Sequence, residues 1–143
     1  MNELSALTDP EAERLVIGSL CIDAGYLPSV RAILAAEDFS DQRCRHFYRA
    51  MLVLDDRGVP ADDAMCLYWE LQALGFTEDA KLSHIAWCAS LPLTPCHAVH
   101  YALRVKDLAD RRRMFTEAQR MAGAALDRSV PVAGRGKPGG IQI

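Results

Sequence analysis

Four side chains in this sequence could chelate a metal from two successive helices. His84 and Cys88 stand four apart, as do Cys96 and His100, and "ASLPLTP" lies between the pairs. Spacing of i,i+4 puts both members of a pair on one helix face, and two Cys with two His is an accepted zinc set. Against a metal, Cys88 falls between Ile85 and Ala89, which read as core positions, and the two helix ends are tightly connected without one. The expectation is therefore no metal and no cofactor. Acidic pairs invite a second chemistry, general acid–base catalysis. Asp62–Asp63 and Glu78–Asp79 sit where helix caps sit, and Asp55–Asp56 lies at a helix end, so capping or solvation explains them better. "AGRGKPGG" contains Gly-Lys, but Pro138 follows where a magnesium-binding Ser or Thr is required, and no strand leads in. No catalytic residue is expected, and this chain reads as a non-enzyme.

The third candidate chemistry is phosphate binding by Arg111, Arg112 and Arg113. Residues 1–96 hold 7 Lys/Arg against 15 Asp/Glu, net −8, whereas residues 97–143 hold 9 against 4, net +5. Such asymmetry marks either a nucleic-acid surface or a solvated helix face. Asp107, Asp110 and Glu117 interleave with the arginines and favour the solvated face.

The elements that must position these residues are all helical. Apolar residues recur with helical period in every clear segment, and none alternates as a strand does. A first helix starts near Thr8–Pro10, with Thr8 and Glu11 as a capping box and Ala12, Leu15, Val16 and Leu20 inward. A short second covers about 27–36 with Val30, Ile33 and Leu34 inward, and Phe39 plugs the core behind it. The third runs about 41–57 on Cys44, Phe47, Met51 and Leu54, and "RGVP" stops it. Asp62 caps a fourth, with Leu67, Leu71 and Leu74 inward and Gly75 as its stop. The fifth starts near Thr77 and buries Leu82, Ile85, Ala86 and Ala89. Thr94–Pro95 opens the last. The expected core is Leu15, Val16, Leu20, Ile33, Phe39, Phe47, Met51, Leu54, Leu71, Leu82, Ile85 and Tyr101.

That last helix, Val99 to Leu126, would be about 42 Å long at ~1.5 Å rise per residue. A domain of about a hundred residues has a radius of gyration of only ~13 Å. Its apolar stripe of Tyr101, Val105 and Leu108 resumes after the arginines at Phe115, Ala118, Met121, Ala122 and Ala125. A stripe beyond its own domain's reach marks a protein interface. The residues assigned to it are Leu108, Arg111, Arg112, Phe115, Ala118, Gln119, Met121, Ala122 and Ala125. Residues 129–143, "SVPVAGRGKPGGIQI", cannot build a core and read as flexible tail or linker. The architecture is all-α: one domain over 1–128, with a head of five short helices at about 8–92 and one long protruding helix at about 94–127.

Five cysteines, odd in number and mostly at apolar positions, fit a reducing compartment, where most act as small buried hydrophobes. The acidic start "MNELSALTDPEAER" has no signal-peptide layout, and "LVIGSLCI" is too short to span a bilayer. A cytoplasmic protein without membrane contact is expected.

Three stretches in order, "DPEAERLVIGSLCID", "EDFSDQRCRHFYRAMLVLDDRGVPAD" and "LPLTPCHAVHYALRVKDLADRRRMFTEAQRMA", resemble the N-terminal domain of DnaB-type replicative helicases. The shared residues are Glu11-Ala12-Glu13 with Val16, Gly18 and Ser19, then Asp38-Phe39, then Ala50-Met51 and Leu54. Arg57-Gly58, Pro60 and Asp62 follow, then Leu71, Gly75 and Pro92, and lastly Tyr101-Ala102, Val105, Arg112, Ala118 and Ala122. No single piece is specific; the ordered set over residues 8 to about 126 is. The resemblance implies a helical head followed by a hairpin of a long helix and a return helix. It also implies pairing of domains through that hairpin into the collar of a hexamer, where primase docks, with ATP hydrolysis in a separate RecA-like domain. This chain departs at Cys44, where the family has histidine, and at Ser40, where it has tyrosine. "EDAK" replaces the usual Gly-Gly before the fifth helix. The sequence stops where the return helix would begin, so neither that helix nor a motor domain is read in it.

The expected function is a non-catalytic replication module, carried within a longer helicase or encoded alone. Its partners would be a helicase or primase surface, with a weak homodimer and only indirect DNA contact. The competing readings are a small DNA-binding protein using the basic long helix and a zinc-dependent structural module.

Overall fold

The computed structural model describes residues 3–129 and Pro131. Among these residues every regular element is helical and there is no strand. The tail expected over 129–143 lies outside the described residues except for Ser129 and Pro131.

Helix α1 (Pro10–Ile22) is the central strut and packs against the third, fifth and sixth helices. Its cap is Asp9, not Thr8: the Asp9 carboxylate accepts the Ala12 N–H at 3.1 Å, while the Thr8 hydroxyl turns back to the Ser5 carbonyl. Pro10 occupies the first turn, where its missing N–H would have had no helical partner. Val16, Ile17 and Leu20 are wholly buried, and Leu15, expected in the core, is half-buried at its edge. Where α1 crosses the fifth helix, backbone meets backbone. A Cβ added at Gly18 would stand 2.1 Å from the Cys88 carbonyl oxygen and 2.9 Å from Pro92 Cδ. Neither obstacle is a flexible side-chain tip. Gly18→Ala should therefore cost about 1–3 kcal/mol by overpacking. Denaturant unfolding checks this, and an unchanged midpoint would mean the two helices do not approach as seen.

Helix α2 (Leu27–Arg31) stops well short of the expected residue 36. The chain leaves it because the Asp38 carboxylate captures the Ala35 N–H at 2.7 Å and a 3-10 turn forms over Ala36–Asp38. Val30 and Leu34 are buried, and Ile33 is half-buried against the core. Helix α3 (Gln42–Asp56) buries Cys44, Phe47, Tyr48, Ala50, Met51 and Leu54, as its periodicity predicts, and Gly58 ends it at φ +71°. Helix α4 (Ala64–Ala73) is capped by Asp63, whose carboxylate accepts the Cys66 N–H at 3.0 Å. Asp62, the expected cap, instead accepts the Ala24 N–H at 2.8 Å and ties this corner to the end of α1. Leu67 and Leu71 point inward, whereas Leu74 is exposed beside the Gly75 stop.

Helix α5 (Leu82–Ser90) starts five residues after the expected Thr77, because a turn over 76–80 intervenes. Its inward face is Ile85 and Cys88. Leu82, expected in the core, is 44% exposed, Ala86 is exposed and Ala89 is half-buried. A 3-10 turn over Pro95–His97 then opens α6 (Ala98–Leu126), which lays Ala98, Ala102, Val105, Leu108 and Ala109 on the head. Tyr101 is half-buried against the same core. Only Cys44 and Cys88 of the five cysteines are buried; Cys21 and Cys66 are half-buried and Cys96 is exposed. Among the described residues no helix is long and apolar enough to cross a membrane.

Candidate functional site

The long helix divides into a half clamped to the head and a half that is not. The clamp is polar and extends beyond the apolar stripe. Arg104 Nε donates to the Asp9 carboxylate at 2.6 Å, so the residue that caps α1 also holds α6. Two residues on, Lys106 Nζ lies 3.5 Å from the Asp38 carboxylate, and Arg113 donates to the same wholly buried group. Arg112 donates from Nη1 to the Leu7 carbonyl and from Nη2 to the Asp38 carbonyl, each at 2.8 Å. Burial pushes the Asp38 carboxyl up. The Arg113 hydrogen bond, the Ala35 N–H and the charges of Arg113 and Lys106 outweigh that and hold it below the ordinary carboxylate range.

Past Arg113 the helix meets solvent. Met114 is 71% exposed, Met121 58% and Leu126 84%, and Ala118, Gln119, Ala122 and Ala125 are exposed with them. Phe115 is half-buried. The residues assigned to the interface from sequence therefore split. Leu108 and Arg112 face the head. Leu108 is only 9% exposed, and the Arg112 guanidinium bonds the Leu7 and Asp38 carbonyls of the head. Arg111 points outward and pairs with Asp107 at 2.9 Å. Phe115 and the residues after it form the open stripe.

The arginine triplet does not form a free cationic patch. Arg113 is shared by Asp38 and Asp110, Arg111 by Asp107, and Arg120 is paired with Glu117. The positive excess of the long helix thus answers acids of the head and of its own neighbouring turns. The acidic pairs are equally occupied: Asp55 and Asp56 both bind Arg31 at 2.8 Å, and Asp79 meets His46 Nδ1 at 2.6 Å.

The zinc set is not assembled. Among the described residues no three His, Cys, Asp or Glu side chains are grouped to hold a metal. His84 and Cys88 line one cleft, and neither Cys96 nor His100 does. Burial pushes the Cys88 thiol up to about 11.

Three buried carboxylates escaped the sequence reading as structural residues. Asp38 is one. Glu70 is another and pairs with Arg57 at 2.9 Å. Glu13 is the third: it accepts the Ser40 N–H at 3.0 Å, the Ser40 hydroxyl at 2.6 Å and the Asp41 N–H at 2.8 Å. The signal that could have found them is a charged residue embedded among core positions, as in "EAERLV" and "AAEDFS".

Comparison with known proteins agrees with this architecture. The family model described as "DnaB-like helicase N terminal domain" matches residues 5–107, so the head and the start of α6 with Arg104 and Lys106 lie inside the match, while Arg112, Arg113 and the open stripe lie beyond it. The replicative DNA helicase DnaC of Bacillus subtilis (strain 168) is 29% identical over 113 residues, which are 78% of this chain and 25% of that protein. The replicative DNA helicase DnaB of Geobacillus stearothermophilus is 30% identical over the same length and shares. The chain thus spans about a quarter of the length of these relatives. A crystal structure of the N-terminal domain of DnaB helicase from Mycobacterium tuberculosis superposes with a TM-score of 0.78 at 27% identity, covering 82% of this chain and 84% of that one. The chain belongs to the family of DnaB-like helicase N-terminal domains.

Proposed function

We propose that this chain is a non-catalytic module of a DNA-replication assembly, and that the distal half of α6 is its docking surface for a helicase or primase. The observation that carries the reading is the row of exposed apolar side chains, Met114, Met121 and Leu126 with half-buried Phe115, immediately past the last clamp to the head. Contact with DNA is indirect, because the arginines nearest the stripe are already paired with acids.

Energetics favour a larger partner over a second copy. Burying Phe115 and Met121 in each of two chains would contribute at most ~6–12 kcal/mol at ~1.5–3 kcal/mol per side chain. Half-burial of Phe115 in its own chain pulls this toward the lower figure. Association costs an estimated 4–15 kcal/mol. A homodimer on this stripe alone therefore sits near balance, with a dissociation constant at or weaker than about 1 mM. Sedimentation over a concentration series should show a monomer at about 100 µM. Capture of a purified partner helicase or primase should be lost in Phe115→Glu and Met121→Glu, with the fold intact. A tight hexamer, or partner binding indifferent to both substitutions, would move the docking surface to the head.

A further inference from the structure

A cleft of about 820 Å³ opens on the head between the first turn of α3, the α4–α5 connection and one face of α5. No residue of α6 lines it, so it is separate from the docking stripe and stands independently of that reading. Its central acids are committed within the fold. Asp79 is taken by His46, which stacks on Phe76 at a centroid distance of 3.8 Å, and Asp41 caps α3 through the Cys44 N–H at 3.4 Å. Two of its cations, Arg14 and Lys81, are not. Arg14 lies over the Trp87 ring, 5.7 Å from its centroid, and neither Arg14 nor Lys81 makes an ion pair among the described residues. Arg43 Nε approaches Asp79 Oδ1 only to 3.6 Å, beyond hydrogen-bond range. Arg43 Nε and His84 Nδ1 are both buried without a hydrogen-bond partner among the described residues. Buried polar atoms are nearly always paired, so two unpaired nitrogens in one wall, the Arg43 donor and a His84 Nδ1 that donates in its Nδ1–H tautomer, mark a place for an acceptor. Burial, with the charges of Arg43 and Lys81, depresses the His84 pKa, so its ring is neutral near pH 7 and can present Nδ1–H to that acceptor.

We propose that this cleft binds a carboxylate side chain within an extended segment of a partner protein, seated among Arg43, Lys81 and His84 with an apolar neighbour lying on Trp87. The volume is in the ~300–1,000 Å³ range of sites that take several groups, too roomy for a lone ion. Charge selects a peptide over a nucleic acid. Asp41, Glu78 and Asp79 share the cleft, and residues 1–96 carry net −8. A run of phosphates would be repelled where one carboxylate between apolar residues is not. Half-exposed Trp87, with Arg14 behind it, offers the flat surface such a neighbour needs.

The test uses the Trp69→Phe chain, which leaves Trp87 as the only tryptophan, titrated by fluorescence. The probes are a capped Ala-Leu-Glu-Leu-Ala peptide, its Gln counterpart, inorganic phosphate and a dT decamer. The Glu peptide should change Trp87 emission saturably and bind at least about tenfold more tightly than the Gln peptide, as expected for a charge-assisted hydrogen bond. Arg43→Gln and Lys81→Gln should each remove that advantage, and Lys81→Gln should leave thermal unfolding unchanged because Lys81 makes no ion pair among the described residues. No saturable response, an equal response to the Gln peptide, or binding intact in both variants would overturn the proposal. Phosphate binding as tight as the Glu peptide would make this a free-oxyanion site, and tighter binding of the decamer a nucleic-acid site; either result also overturns it.

Discussion

Asp38→Ala is expected to lower the unfolding free energy by about 3 kcal/mol, the lower end of the ~3–5 kcal/mol seen when one partner of a buried ion pair is removed. The carboxylate is wholly buried and meets three groups at once: it accepts from Arg113 and the Ala35 N–H and forms an ion pair with Lys106 at 3.5 Å. Deletion leaves the Ala35 N–H without its acceptor. The stranded Arg113 and Lys106 are partly exposed and can turn to water, which keeps the loss from the upper end. Asp38→Asn keeps the shape and isolates the contribution of charge. Hydrogen exchange should also speed up along α6 from Lys106 to Arg113, because this group fastens that stretch to the head. The pH dependence follows. Asp38 and Asp9 are both held below the ordinary carboxylate range in the folded chain, Asp9 chiefly by the Arg104 hydrogen bond. A carboxyl depressed by folding stabilises fully above its unfolded pKa and loses that contribution as pH falls through its folded one. These two carboxyls should therefore withdraw their stabilisation below about pH 4, with a shallower decline in Asp38→Ala, while the loss that His84 adds below about pH 6.5 is common to both chains. A loss under about 1 kcal/mol at pH 7 would show that the clamp does not hold the helix.

Phe47→Ala is expected to cost about 3–5 kcal/mol, the usual range for truncating a fully buried aromatic ring. Phe47 has no exposed surface and lies on the inward face of α3 with Cys44, Met51 and Leu54. The loss is the transfer of the ring plus the cavity its neighbours cannot close. Chemical denaturation with an unchanged m-value would report it directly. A change within the ±0.5 kcal/mol of surface substitutions would place the ring outside the core. Leu82→Ala is the internal contrast: 44% exposed at the first turn of α5, it should cost little.

What the sequence by itself determined is what local chemistry fixes. The long amphipathic repeats of α1, α3 and α6 admit only one secondary structure, and only one face of α3 is apolar enough to bury. Gly58 and Gly75 stop their helices at φ +71° and +86°, conformations that a side chain resists and glycine does not. The family was legible because its residues recur in order along the whole head, which no single motif could establish. Tertiary structure decided the rest. Adjacent cap formers such as Thr8–Asp9 and Asp62–Asp63 are equivalent locally, so a distant partner chooses between them: Arg104 takes Asp9, and the Ala24 N–H takes Asp62. Helix α5 is apolar nearly all round, with Leu82, Ile85, Ala86, Trp87 and Ala89, so its inward face is set by where Gly18 lets α1 approach. The basic long helix looked like a cationic surface because its acids are counted elsewhere in the chain. Arg112 and Arg113 meet Asp38 across 74 and 75 residues, a pairing that exists only once α6 has laid its apolar stripe on the head. How far the helix is held, and so where its open stripe begins, follows from that contact, which no periodicity within either segment encodes.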